Sequence, residues 1–218
     1  MITGEVKISP DNENKRLEGL TDHQLLLSSL DKNYYAFAEL VRRYEGRIYR
    51  LGLKMLHSPD DAEDLLQKTF LSVFENMHRF RGESKVSTWI FRIATNHALM
   101  KLRKEKREKN DQSLDAPIST GQDLVYPQLV DEDACVPEIF EKQEMLKALE
   151  EAVVSLPDIY RLVFILRDIE GFSNKEVAQM LNLSVPAVKS RILRARLHLR
   201  DHLNQMQKGG DELEKSQG

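Results

Sequence analysis

The chain carries a single cysteine, a single tryptophan and no apolar run of membrane-spanning length. One cysteine excludes an intramolecular disulfide and a cysteine-based metal site, and it suits a reducing compartment. Without ~18 consecutive apolar residues no span can form, and Met1–Lys7 lacks the basic-then-apolar order of a signal peptide. A cytoplasmic location is therefore expected. Alternating apolar and polar residues, the mark of half-buried strands, are missing as well, so the fold class is all-α. The six histidines, His23, His57, His78, His97, His198 and His202, are scattered rather than spaced as ligands, and neither a metal nor a cofactor is expected. Cys135, between Ala134 and Val136, reads either as a redox sensor or as an ordinary residue.

What the chain does have is charge, distributed unevenly. Its 218 residues allow one large or two small domains, and its 32 basic against 35 acidic residues give a net −3. Spread evenly, that balance would argue against a nucleic-acid partner. Instead Arg79 to Lys109 is strongly basic, Asp111 to Glu151 is dominated by acids, and a second basic helix follows. The order is basic module, acidic linker, basic module.

Within the second module, Ser173 to Arg191 spells two short helices around a tight turn. Ser173 with Glu176 forms a capping box, Ala178 leaves room for close helix packing, and Asn182 tolerates the left-handed backbone that turns the chain. Ser184 caps the next helix, and Pro186 falls in its first turn, where a missing N–H breaks no bond. At 100° per residue Val188, Ile192, Ala195 and Leu199 make one apolar stripe, which turns Lys189, Ser190, Leu193 and Arg194 to the opposite side. A solvated basic helix would share that pattern. Two capped helices in series around an asparagine turn point further, to a helix-turn-helix whose second helix enters a DNA groove.

The first module begins after a polar lead-in, Met1 to Leu20. Thr21 and Gln24 form a capping box, and Phe37, Leu40, Val41, Tyr44, Ile48, Leu51 and Met55 recur at helical spacing up to a break at His57-Ser58-Pro59. Ser58, Pro59, Asp60 and Asp61 start another helix, with Ala62, Leu65, Leu66, Thr69, Phe70, Val73, Phe74 and Met77 facing inward. A loop from His78 to Ser84 leads to a helix beginning near Trp89. Around that helix Lys85, Thr88, Arg92, Asn96 and Arg103 fall on one side, a polar and basic stripe read as facing outward. Phe80 and Trp89 with Arg79 and Arg81 supply the aromatic faces and cations that suit unstacked bases, although a buried indole is equally ordinary.

Asp60-Asp61-Ala62-Glu63-Asp64-Leu65-Leu66-Gln67-Lys68-Thr69-Phe70, Arg79-Phe80-Arg81-Gly82-Glu83-Ser84, Ser87-Thr88-Trp89-Ile90 and Arg92-Ile93-Ala94-Thr95-Asn96 resemble region 2 of RNA polymerase sigma factors of the extracytoplasmic-function (ECF) group. Leu156-Pro157, Arg161 to Phe164, Leu166 to Ser173 and Val188 to Arg196 are similar to that group's region 4. The resemblance implies two small helical domains, a region 2 bundle over 21–109 and a region 4 helix-turn-helix over 138–204. A flexible acidic linker at 110–137 joins them, between a flexible N-terminus (1–20) and tail (205–218). It implies further that Asp61, Asp64, Leu65, Leu66, Gln67 and Phe70 dock on core RNA polymerase, at the β′ clamp helices, with the β subunit also a partner.

By the same resemblance, Phe80, Arg81, Ser84, Lys85, Thr88, Trp89, Arg92, Asn96 and Arg103 meet the minus-ten element of promoter DNA, the loop Phe80 to Ser87 capturing a flipped base. Lys189, Ser190, Arg191, Leu193 and Arg194 meet the minus-thirty-five element. An anti-sigma factor is implied as a further partner; a small-molecule substrate, a catalytic group and a membrane span are not. Val86 stands where such factors often carry an aromatic, Asn182 replaces the frequent turn glycine, and regions 1.1 and 3 have no counterpart.

Two rival readings remain at this level. A stand-alone helix-turn-helix regulator would need a ligand-sensing N-terminal half. A metal-dependent nuclease would use Asp60, Asp61, Glu63 and Asp64 as ligands, but the helix start already explains the first two.

Overall fold

The computed structural model describes residues 16–112 and 148–215. Among them every regular element is helical and no strand occurs, as expected of an all-α chain. The N-terminal half holds α1 (Asp22–Leu30), α2 (Tyr34–Leu56), α3 (Pro59–Asn76) and α4 (Val86–Gln112). The C-terminal half holds a helical segment over 148–155, then α5 (Asp158–Phe164), α6 (Asn174–Leu181) and α7 (Val185–Lys215). Most of the expected linker, with Cys135, lies outside the described residues.

Local chemistry sets the helix ends. Thr21 and Gln24 form a reciprocal capping box on α1, and Ser173 and Glu176 form another on α6. Each satisfies backbone donors that the first turn leaves orphaned. Asn33 caps α2 by accepting from the Tyr35 and Ala36 amides at 3.0 and 3.2 Å. His57 ends α2 in the left-handed region at φ 57°, after which Ser58 caps α3 and Pro59 occupies its first position. Asn182 ends α6 at φ 51°, and Ser184 accepts from the Ala187 amide to open α7. The α5 helix passes into a π-turn at Ile165–Ile169, and Gly171 at φ 76° stops it, a backbone angle that a side chain would strain.

Packing then assembles these pieces. The α2 stripe is buried at Leu40, Tyr44, Ile48, Leu51 and Met55, with Phe37 and Val41 packed against it. Where α2 crosses α3 the backbones nearly touch: a Cβ on Gly52 would stand 2.8 Å from Ala62 Cα and 2.9 Å from its Cβ. Arg43 ties α2 to the start of the described chain, donating to the carbonyls of Leu17, Glu18 and Leu20 and pairing with Asp22 and Glu39. In the C-terminal half the buried Arg161 serves as a cap by proxy. Its guanidinium donates to the carbonyls of Val153, Val154 and Leu156, the exposed acceptors at the end of segment 148–155, and its Nη1 reaches His57 Nε2 at 2.9 Å. The largest apolar core runs unbroken across both halves.

Several expectations need correction. Residues 16–20 are not a loose lead-in: Leu17 is 4% exposed, held by core contacts and by the Arg43 bonds. Phe74, placed inward by periodicity, is 42% exposed near the end of α3, where it meets Phe37 edge to face. The α4 helix runs past Lys109 to Gln112, and α7 runs through the expected tail to Lys215, neither segment containing a proline to stop it.

Two outcomes follow from this packing. Gly52→Val forces α2 and α3 apart and costs about 1–3 kcal/mol, read as a lower urea midpoint at unchanged slope; an unchanged midpoint would contradict the close crossing. His57, pushed down to about 4 first by burial and then by the Arg161 charge, with Asp158 opposing, stays neutral in the folded state while the unfolded side chain titrates near 6.5. The unfolded chain therefore takes up the proton first as pH falls. Stability is lost between about pH 6.5 and pH 4 with a slope of up to ~1.4 kcal/mol per pH unit. His57→Asn, which tolerates the left-handed backbone, removes that part of the profile; an identical profile for the two proteins would refute it.

Candidate nucleic-acid interface

The α7 helix is partitioned by its own periodicity. Val188, Ile192, Ala195 and Leu199 are all buried, the last at 6% exposure. On the far side Lys189, Ser190, Leu193 and Arg194 are exposed, Leu193 at 61%, while Arg191 is half-buried at the edge. An exposed leucine at this level is costly in water and useful against a thymine methyl. Arg194 is steadied by Tyr160, its Nη1 donating to the phenol oxygen at 3.2 Å, and Arg196 is held back by a bidentate pair with Asp168. The free edge therefore presents Lys189, Ser190, Leu193 and Arg194 together.

In the N-terminal half the stripe on α4 is narrower than helical counting suggests. Lys85, Arg92, Asn96 and Arg103 are exposed, but Thr88 is only 2% exposed and its hydroxyl has no hydrogen-bond partner. The reason is a second buried face. Thr88, Phe91, Thr95 and Ala98 share one side of α4 and are all buried, and Phe91 there meets Phe172 of the C-terminal half edge to face. Reading a single apolar stripe missed this face, since Phe91's partner comes from far along the chain.

The aromatic pair packs internally as well as outward. Phe80 is half-buried between Trp89, 5.2 Å away by ring centroids, and His23, 6.2 Å away. Gly82, at φ 71°, bends the loop between them and α4, leaving Arg79 and Arg81 exposed and Ser84 half-buried. The outer side of Trp89 lines a groove of about 380 Å³ between α3 and α4, together with Arg79, Asn76, Asn96, His97 and Met100. Asn76, His97 and Met100 were missed by the sequence reading. Their signal was present as helical spacing, since Asn96 and Met100 are one turn apart. His97 Nε2 sits 3.0 Å from the Ser72 hydroxyl, and burial followed by the Lys68 charge lowers its pKa, favouring the neutral ring.

On α3, the residues read as docking on polymerase divide. Gln67 is exposed, Asp64 is half-exposed and pairs with Lys68 at 2.6 Å, and Leu66 is half-buried. Leu65 and Phe70, 3% and 7% exposed, belong to the domain's own core, because the period that aligns them with Ala62 and Val73 directs them inward. Asp61 turns toward Lys101 across the α3–α4 contact, so Lys101 is engaged within the protein rather than presented to phosphate. Among the described residues no three histidine, cysteine or carboxylate side chains gather as metal ligands, and two of the four acids of the nuclease reading, Asp61 and Asp64, are paired with Lys101 and Lys68. No helix among them is long and apolar enough to cross a membrane.

Comparison with known proteins agrees with this geometry. Residues 40–108 match the family model for Sigma-70 region 2, and residues 146–199 match that for Sigma-70 region 4. The ECF RNA polymerase sigma factor SigW of Bacillus subtilis is 35% identical over 172 residues, 78% of this chain and 90% of the relative. SigM of Mycobacterium tuberculosis is 32% identical over 179 residues, covering 82% and 83%. Two solved structures share the fold. The sigma factor RpoE in complex with the anti-sigma factor NepR from Bartonella quintana has a TM-score of 0.62 at 23% identity, over 77% of this chain and 96% of that one. CnrH in complex with the cytosolic domain of CnrY has 0.59 at 23%, over 84% and 97%. A stand-alone regulator is not favoured by these relations. Two matched regions in order, with a relative 35% identical over most of both chains, place this chain in the sigma-70 family, among the ECF RNA polymerase sigma factors.

Proposed function

We propose that this chain works in the cytoplasm, binds core RNA polymerase and directs it to promoters, with no catalytic group or cofactor of its own. The observation that carries this reading is the clean division of α7 into a buried stripe and an exposed edge of Lys189, Ser190, Leu193 and Arg194. That edge reads the minus-thirty-five duplex in the major groove: Arg194 bonds a guanine bidentately, Leu193 meets a methyl, and Lys189 and Ser190 contact phosphate or base edges. Arg191, at the margin, contacts backbone.

On α3, Asp64, Leu66 and Gln67 dock on the β′ clamp helices, while Leu65 and Phe70 hold that face in shape from beneath. The minus-ten strand runs along Arg92, Asn96 and Arg103. One unstacked base lodges against Trp89 in the α3–α4 groove, and the loop from Phe80 through Arg81 and Ser84 closes over the strand. Extruding a base costs a few kcal/mol, and stacking plus amide contacts offset that only for a base that fits, so strand opening is sequence-selective and needs no ATP. An anti-sigma partner, implied by the family resemblance, belongs to the same reading.

Run-off transcription with core polymerase over a promoter library tests the assignment. Arg194→Ala flattens preference at one upstream position, a loss of about 1–3 kcal/mol of discrimination, and leaves holoenzyme assembly intact. Asp64→Ala weakens assembly on every template without changing preference. Equal transcription by all three proteins would sink both roles. Trp89→Ala is expected to weaken binding of single-stranded minus-ten DNA by about 1–3 kcal/mol while leaving duplex binding by α7 unchanged, measured by anisotropy beside a melting curve; equal loss on both substrates would mean the indole is only structural.

A further inference from the structure

Arginine is a demanding reader of bases. Its guanidinium carries five donors in a planar fork at the end of a rotamer-rich stem, and that freedom is lost when the fork settles on one base edge. On α7 two arginines meet this demand differently. Arg196 is drawn aside by the Asp168 carboxylate, to which its Nε and Nη2 donate at 3.0 and 2.8 Å. Arg194 has a neutral partner instead, its Nη1 donating to the Tyr160 hydroxyl oxygen at 3.2 Å. A carboxylate occupies the fork and offsets its charge; a phenol engages one N–H and leaves the charge whole.

Tyr160 is itself held in place. It lies in the first turn of α5, where its amide donates to the Pro157 carbonyl at 2.8 Å. The half-buried ring packs on the cluster of Ala152, Val153, Leu156, Ala195 and Leu199, and its centroid lies 5.9 Å from that of His198. Arg194 and His198 are one turn apart on α7, so the tyrosine lies along a single turn of that helix. The next residue, Arg161, anchors the start of α5 through the carbonyls of Val153, Val154 and Leu156. The hydroxyl is therefore a fixed point carried by the packing of the C-terminal half. With one Nη1 proton engaged there, the Nε and Nη2 edge of Arg194 stays available for the N7 and O6 of a guanine.

We propose that Tyr160 is a positioning residue that aims Arg194 at one base pair of the upstream duplex and so determines where in the minus-thirty-five element a guanine is required. This rests on the promoter-reading function proposed above. A guanidinium tethered at Nη1 has given up rotamer freedom before DNA arrives, and swinging to a neighbouring base pair or to a phosphate breaks the tether, so both affinity and selectivity at that position rise. Tyr160 acts on the base only through Arg194. Its contribution must then vanish once the guanidinium is gone.

The full chain assembled with core polymerase is selected on a promoter library randomised across the upstream element, as wild type, Tyr160→Phe, Arg194→Ala and the double variant. Tyr160→Phe keeps the ring and its packing and removes only the hydroxyl. It should lower discrimination about three- to tenfold at the position that Arg194→Ala flattens, with other positions, holoenzyme assembly and melting temperature unchanged. In the double variant it should add nothing to Arg194→Ala. Unaltered preference in Tyr160→Phe, an equal loss at every position, or losses that add in the double variant would overturn the positioning role. If Arg194→Ala flattened no position at all, the promoter reading itself would fall, and this role with it.

Discussion

A helix has one circumference, and α4 uses nearly all of it. Ile90 and Ala94 are buried on one side, and Thr88, Phe91, Thr95 and Ala98 on another, so the helix is enclosed by both halves of the molecule. What remains for solvent is the edge bearing Arg92, Asn96, Met100 and Arg103, Trp89 where it lines the groove, and most of the charged end beyond Arg103. The position of the surface proposed to meet the minus-ten strand is therefore a consequence of packing. Asp61 shows the same constraint from α3: once α3 lies against α4, its carboxylate meets Lys101, and two charges that seemed available to partners satisfy each other. Surfaces for recognition are the residue of a packing problem solved first.

How far this was legible in the sequence depended on range. Capping boxes at Thr21 and Ser173, the Ser58-Pro59 start, the asparagine turn at 182 and the α7 stripe all rest on residues within a few positions of one another, and each stands in the structure where local chemistry places it. Polymerase docking and base capture came from family resemblance, which no local rule supplies. What stayed hidden was set by residues far apart. Leu17 looked loose because Arg43, which binds its carbonyl, comes more than two turns into a later helix. Thr88 looked exposed because it shares a buried face of α4 with Phe91, whose partner Phe172 lies in the other half. Phe74 failed in the opposite sense: its periodicity is that of a core residue, yet with Phe37 against it the ring is still 42% exposed. Periodicity tells which side of a helix is apolar, not how many sides are covered.

The join between the halves pairs cations of the N-terminal half with carboxylates of the C-terminal half. Lys85 and Lys106 each face a carboxylate of the other half, and Arg47 faces Glu170, so basic groups are neutralised across the join. Lys85 and Lys106 remain largely solvated, at 76% and 71% side-chain exposure, so each pair contributes little to the join by itself. Arg47 differs, since aromatic rings shield its guanidinium from water and Glu170 is 6% exposed, which makes that pair sensitive to loss of either partner.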